Sequence, residues 1–511
     1  MLAAELSRDA AVKVLLLEAG TPGRGPLFRI PAASLVTQAN GRFSYAYRTE
    51  PYGSQGREDR WLRGRVLGGT SAINGSMYNR GCAADWDALP GTGWAWNDIL
   101  PIFRELEDHQ LGATDLRGTG GPLGVSVQNN GEPVNEAFIE AAGKRGLARV
   151  EDVNEGGDER VGYTPATIAR GVRQSAKTAF LRPAMKRANL TVRTGATVTR
   201  VLIERDRAVG VLVGEGAAAQ EIRATKEVVL STGGVETPKL LELSGIGDGA
   251  LLRRLGIEVV LDRPTVGENV VEHHVIPLLL RLNRPGLGYN RMLGSAGGVL
   301  RVLTAYLVRR DGFLAAPGAQ VLGFARTEPS EPRPDAQIFM NPVSADMERM
   351  RLETSPGATI IGEILRPEAR GRQHITSADP RTPPRIVPNH LAEDADRRRT
   401  VAMLRRMRDI AAEEPLAGMI EGETAPGPGL RDDEGLLDYA LNHSIPGYHT
   451  VGGCAMGTGD DAVLDTRLRV RGIGALRVMD ASALPVTVSG NPNAPLLAMA
   501  TLAARRILAD S

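Results

Sequence analysis

Two residues carry chemistry that can be read directly from the sequence, His449 and Asn491. An imidazole can take the proton of a hydroxyl, and a side-chain amide can hold the oxyanion left behind. They lie in SIPGYHTVGGCAMG and SGNPNAP, on either side of an apolar run at 476–479 that ends in Asp480-Ala481-Ser482. An apolar strand ending in an acid and small residues suits the ligand-facing edge of an α/β sheet. Taken alone, a single histidine reads as structural, and the Asn-Pro dipeptide at 491–492 reads as a turn. Their common setting gives them a site.

The elements that must position them begin at the first residue. Residues 1–9 read as the end of a helix, 12–17 as a buried strand, and Glu18-Ala19-Gly20 as its close. Helix, strand and acid form the second half of a dinucleotide-binding βαβ unit, in which the acid reaches the ribose. The glycine loop of that unit falls at or before Met1, and no G-x-G-x-x-G stands elsewhere. The reading expects the natural chain to begin upstream, with Met1 a GTG valine codon read as a start. The alternative is a truncated chain that has lost its cofactor.

Residues 63–81, RGRVLGGTSAINGSMYNRG, place Gly68-Gly69 where a backbone can come close to a ligand, with Thr70, Ser71 and Asn74 beside it. Residues 226–247, KEVVLSTGGVETPKLLELSGIG, read as a strand, a tight turn and a helix capped by Thr237, with Pro238 first and Gly245 at the end. Residues 173–190 read as a helix broken by Pro183, followed by a meander of strands at 190–192, 196–202 and 208–213. From 276 to 440, apolar runs at 275–282, 319–325, 336–341 and 358–365 alternate with turns, as in an antiparallel sheet flanked by helices. The charged helix at 392–413 reads as a solvated face.

These blocks together resemble the glucose–methanol–choline (GMC) flavin oxidoreductases. The resemblance rests on 63–81 with the following Asp87, on 226–247, and on the histidine before VGGCAMG, then VMDAS and SGNPNAP. It implies an α/β (α+β overall) fold with a discontinuous Rossmann-like FAD-binding domain over 1–275 and 441–511. A substrate domain covers 276–440. Carried over by position, FAD contacts fall to Glu18 and Ala19, to Gly68, Gly69, Thr70, Asn74, Gly75, Ser76 and Met77, and to Val198. Tyr448, Asp480, Ala481, Asn493 and Ala494 complete the set. Ile73 stands where some members link the flavin through histidine, which implies non-covalent FAD. His449 becomes the base and Asn491 its partner, in preference to Asn493, which matches a position nearer the flavin pyrimidine. Gly234 replaces a small non-glycine residue, an exchange expected to cost only rigidity. The implied reaction is oxidation of an alcohol CH–OH by hydride transfer to flavin N5. A lyase or decarboxylase on the same fold and a flavin-free remnant are the alternatives.

Composition bounds the rest. The 511 residues suit two or three domains at about 100–200 residues each. The net charge of +1 provides no bulk field toward nucleic acid or anionic lipid. Cys82 and Cys454 form no C-x-x-C, which fits a reducing, cytoplasmic setting, and Cys454 reads as a small packed residue. The adjacent His273 and His274 after Glu272 lack a spaced third ligand, so no metal is expected, and His443 reads as packing. No run is long enough to cross a membrane. The expected partners are a small alcohol and an electron acceptor: oxygen, a quinone or a redox protein.

Overall fold

In the computed structural model, residues 1–346 and 351–510 are described. Strand Val14–Glu18 pairs in parallel with Leu190–Thr194, and Val228–Leu230 pairs in parallel with Leu476–Val478. Parallel partners this far apart require crossovers, and two of these strands lead into the acids Glu18 and Asp480. The strand at 190 therefore leaves the expected meander. That meander instead consists of Val198–Glu204, Arg207–Val213 and Gln220–Arg223. Local pattern reveals a strand but not its partner, and here the partner lies across a long connection. Within 173–190 the expected helix covers Lys177–Ala184, a π-helical stretch Lys177–Leu181 running directly into Arg182–Ala184, so Pro183 sits in its last turn rather than breaking it. The closing helix Asn493–Ala509 packs on Leu2–Leu6 and on Trp96–Leu106, so the two ends of the chain share one core.

A second layer is an eight-stranded sheet among the described residues. Its order is Ile420–Ala425, His274–Leu282, Gly357–Ile364, Ala336–Asn341, Val321–Ala325, Arg160–Tyr163 and Ala148–Arg149, with Ile445–Pro446 also on His274–Leu282. Only the last pair, Ala148–Arg149 with Arg160–Tyr163, is parallel. Two strands thus come from sequence before residue 276, and helix Pro133–Lys144 joins the same core. Helix Asp394–Ala411 is not simply a solvated face: Val401, Met403, Leu404, Met407 and Ile410 are buried against the sheet. Gly362 permits that approach, since a Cβ there would lie 2.6 Å from the Met407 sulfur. The helix looked wholly polar because arginines dominate its composition, whereas packing selects one face of it.

Helix Glu236–Leu243 starts one residue before the expected cap, and Thr237 lies inside it, with its hydroxyl donating to Asp480. Gly245, at φ +84°, ends the helix as anticipated. Among the described residues no helix is long and apolar enough to cross a membrane.

Candidate active site

His449 lies where the two layers meet, on the segment that leaves the antiparallel strand Ile445–Pro446, and is 9 % exposed. Its Nε2 is 2.9 Å from Asn491 Nδ2. The Asn491 amide is oriented in turn, since its Oδ1 accepts from Asn79 Nδ2 at 2.7 Å. On the other side of the ring, His449 Nδ1 is 2.8 Å from His273 Nδ1. The far nitrogen of His273, Nε2, is 3.0 Å from the Leu365 carbonyl, which can only accept.

These contacts determine the protons. His273 must carry its hydrogen on Nε2 to donate to Leu365, so His273 Nδ1 accepts. His449 Nδ1–H is then the donor between the rings, and His449 Nε2 keeps its lone pair facing the Asn491 amide. Burial pushes the His449 pKa well below its ordinary value, with the neighbouring His273 and Arg63 adding to the shift. A neutral imidazole with its lone pair outward is a proton acceptor.

Two carboxylates complete the surroundings. Glu272 accepts from the His449 backbone N–H and from Thr450 Oγ1, and pairs with Arg63 Nη2 at 3.0 Å. Glu363 lies on strand Gly357–Ile364, fully buried, 3.6 Å from His273 Nδ1 and 3.9 Å from His449 Nδ1. Burial pushes its carboxyl up to about 7. Donor atoms of His273, Glu363 and His449 all lie within 4.8 Å of one another, close enough to ligate a metal ion. His273, read from sequence as structural, thus stands in contact with His449. His274 packs instead, stacked on His390 with ring centroids 4.3 Å apart.

Sequence reasoning also passed over Glu272, Glu363, Asn79 and Arg63. Glu363 had a signal, being the one acid in the apolar run GATIIGEI. Asn79 and Arg63 sat inside the first motif without an assigned partner. Gly234 does more than cost rigidity, because a Cβ there would lie 2.5 Å from the Thr450 carbonyl oxygen. Its small size lets the helix start of 236 approach the His449 segment. Cys454 is buried, and its thiol is pushed well up by burial, which suits the packing reading. His443 stacks on Tyr439 at the end of its helix.

The residues assigned to FAD fall into three groups. Glu18 ends its strand with Oε1 accepting from Gly20 N–H at 2.7 Å, and Ala19 follows it. The bridge from Thr21 to Val66 brings that end to the Gly68-Gly69 turn. Gly68 and Gly69 take φ of +102° and +57°; a Cβ on Gly68 would lie 3.0 Å from Lys177 Cβ, whereas one on Gly69 would meet nothing within 4 Å, so the backbone at Gly69 faces open space. Thr70 accepts from Gly64 N–H, and Asn74 accepts from Arg173 Nη1 at 2.9 Å. Gly75, Ser76 and Met77 follow. Ser76 has φ +62°, and its buried hydroxyl lacks a partner among the described residues. Next to His449, Tyr448 has φ +63°. Asp480 accepts from Gly233 N–H and Ser482 N–H, each at 2.9 Å. Ala481 begins the short turn after it, and Asn493 and Ala494 open the closing helix. Val198 opens the antiparallel strand opposite Val213, two residues after Ala196, whose N–H donates to the Glu18 carbonyl at 2.9 Å. A glycine turn open to space and an orphaned buried hydroxyl fit a bound dinucleotide on this side of His449.

A neutral imidazole beside an open glycine turn suits a site that takes a proton next to a bound ligand. Comparison with known proteins gives the family. The family models for GMC oxidoreductases match residues 32–275 and 367–500. An oxygen-dependent choline dehydrogenase of Photobacterium profundum is 34% identical over 519 residues, covering 100% of this chain and 91% of the relative. The mitochondrial choline dehydrogenase of Homo sapiens is 36% identical, covering 99% and 87%. Among solved structures, pyridoxine 4-oxidase from Mesorbium loti superposes with a TM-score of 0.89 at 30% identity, covering 99% of this chain and 96% of that one. The chain belongs to the GMC oxidoreductase family, whose members use FAD to oxidise alcohols.

Proposed function

We propose that the protein oxidises the CH–OH group of a small alcohol, with His449 as the base and Asn491 as the donor that holds the oxyanion. The observation that carries this reading is the ordered series Leu365 carbonyl, His273, His449, Asn491, Asn79, which leaves one lone pair, on His449 Nε2, beside an oriented amide N–H. A substrate hydroxyl replaces the contact between those two atoms. Its proton goes to Nε2, and the Asn491 N–H takes the alkoxide charge. The proton then resides on a buried imidazolium that Glu363 faces from 3.9 Å. FAD, when bound, supplies the hydride acceptor.

The residues proposed to hold it are Glu18 and Ala19 at the ribose, Val198 toward adenine, Gly68 to Thr70 and Asn74 to Met77 along the loop, and Tyr448, Asp480, Ala481, Asn493 and Ala494 on the opposite side. Binding is non-covalent, with Ile73 buried at the position of the linking histidine in other members. The cofactor side is assigned to 1–275 and 441–511 and the substrate side to 276–440, with helix Pro133–Lys144 and strands Ala148–Arg149, Arg160–Tyr163 and Ile445–Pro446 joining the substrate side. Named activities of the relatives make choline and pyridoxine the first alcohols to test. The free Cys82 and Cys454 suit a reducing compartment such as the cytoplasm.

The test uses His449→Gln enzyme whose FAD content, read from its visible spectrum, equals that of the wild type. Anaerobic mixing with alcohol should bleach the flavin about 10²–10⁴-fold more slowly than in the wild type. An unchanged rate would remove His449 from the mechanism. Steady reduction of an artificial acceptor by the alcohol distinguishes an oxidoreductase from a lyase.

A further inference from the structure

Helix Ala296–Arg309 turns only Val302 and Tyr306 fully inward. On its outer side Leu300 is 65%, Leu307 69% and Val308 74% exposed, with Val299 and Leu303 beside them. Positions 300, 303, 307 and 308 follow a helical stripe, so this is a second apolar face, opposite the buried one. The patch does not stop at the helix. Tyr306 Oη donates to the Arg29 carbonyl at 3.3 Å, and the turn Phe313–Ala315 packs on Pro31–Ala33. Directly after that turn come Leu35 and Val36, 68% and 56% exposed.

The two chain segments that carry the patch are strongly basic. Residues 19–43 and 283–319 together hold eight arginines and one acid, Asp311. All eight arginines are exposed. Arg309 pairs with Asp311 at 2.9 Å, and no acid among the described residues pairs with Arg24, Arg29, Arg42, Arg284, Arg291, Arg301 or Arg310. The whole-chain charge of +1 conceals this concentration. The same surface adjoins the loop assigned to the cofactor. Arg173 ties the Pro31 carbonyl to Asn74, and Gly318 N–H donates to the Gly75 carbonyl at 2.7 Å.

We propose that this face docks on an anionic lipid bilayer, with helix Ala296–Arg309 lying in the interface, its leucines inserted and the arginines against the headgroups. An amphipathic helix with leucines on the outer side and basic residues at its rim has the composition of an interfacial anchor. A protein–protein contact of equal area would also bury the leucines, but seven arginines without an acidic partner on both copies of a symmetric pair would repel. A bilayer bearing negative headgroups satisfies both features at once. The inference does not rest on the proposed alcohol oxidation.

The full chain is spun with vesicles of phosphatidylcholine alone or mixed with phosphatidylglycerol at low salt. Wild type is expected to sediment with the mixed vesicles and to be released as salt rises. Leu300→Ser/Leu307→Ser should lower the partition roughly a hundredfold, and Arg291→Glu/Arg301→Glu should remove the preference for phosphatidylglycerol. Thermal melts matching the wild type show that the variants are folded, and neither pair touches the His449 site. Failure of wild type to sediment, or equal binding by the leucine variant, would overturn the proposal. A wild-type dimer that the leucine variant splits, with no vesicle binding, would assign the face to a second copy instead.

Discussion

Replacing His273 with phenylalanine tests whether His449 works because of its tautomer. Phenylalanine fills nearly the same space but offers no acceptor to His449 Nδ1–H, now 2.8 Å from His273 Nδ1. That buried donor would then have only the Glu363 carboxylate, at 3.9 Å, to turn to. A buried unsatisfied donor costs about 1–3 kcal/mol, so the Nδ1–H tautomer loses most of its advantage. Moving the hydrogen to Nε2 is no escape, because Asn491 is locked by Asn79 with its N–H toward that atom. Either way fewer molecules present a lone pair to substrate, and the rate of proton removal should fall about 10- to 100-fold. Flavin reduction by alcohol, followed by anaerobic stopped flow on enzyme with wild-type FAD content, reads this directly. The ¹⁵N shifts of His449 report the tautomer independently. A rate within about twofold of wild type, with the Nδ1–H form still dominant, would refute the tautomer argument.

Other outcomes follow from the same surroundings. Because burial holds His449 neutral well below its ordinary value of 6.5, kcat/KM should stay level through pH 6.5 and fall only at lower pH; an acid limb centred at or above 6.5 would contradict this. Glu363, raised from 4.5 to about 7, contributes stability below pH 4.5 that is lost as pH rises through 7. Glu363→Gln should therefore gain up to about 3 kcal/mol on the wild type at pH 8 relative to pH 4, measured by urea unfolding at both; a pH-independent difference would count against the shift. Gly234→Ala should cost about 1–3 kcal/mol, since its Cβ would lie 2.5 Å from the Thr450 carbonyl; an unchanged urea midpoint would show that the two segments part freely. Dialysis against a chelator should leave activity intact, because the Nδ1 atoms of His273 and His449 serve each other; loss of activity restored by a divalent ion would make the cluster with Glu363 a metal site.

Much of the site was readable because its chemistry is local. A glycine pair, a strand-end acid and a histidine in a glycine-rich turn each depend on a few adjacent residues, and the strand ends and turns that carry them are found in the fold. Strands at 12–17, 228–230 and across 275–365 were legible from apolar runs bounded by turn residues. Where the reading failed, the missing information was a partner far along the chain. Leu190–Thr194 pairs with Val14–Glu18, not with the hairpin that follows it. Asp394–Ala411 covers a sheet at Gly362, although its composition suggested solvent.

By itself the sequence determined which residues could accept a proton, hold an oxyanion and leave backbone open to a dinucleotide. It also determined the succession of strands and turns that carries them. Only the tertiary structure decided which nitrogen of His449 faces outward. That choice depends on the Leu365 carbonyl acting through His273, on Asn79 acting through Asn491, and on burial that denies the ring a charge. Likewise, sequence alone recorded eight arginines in two segments and a balanced total charge, while folding set those segments side by side around exposed leucines. Pairing across hundreds of residues follows from packing the whole chain, and no local pattern encodes it.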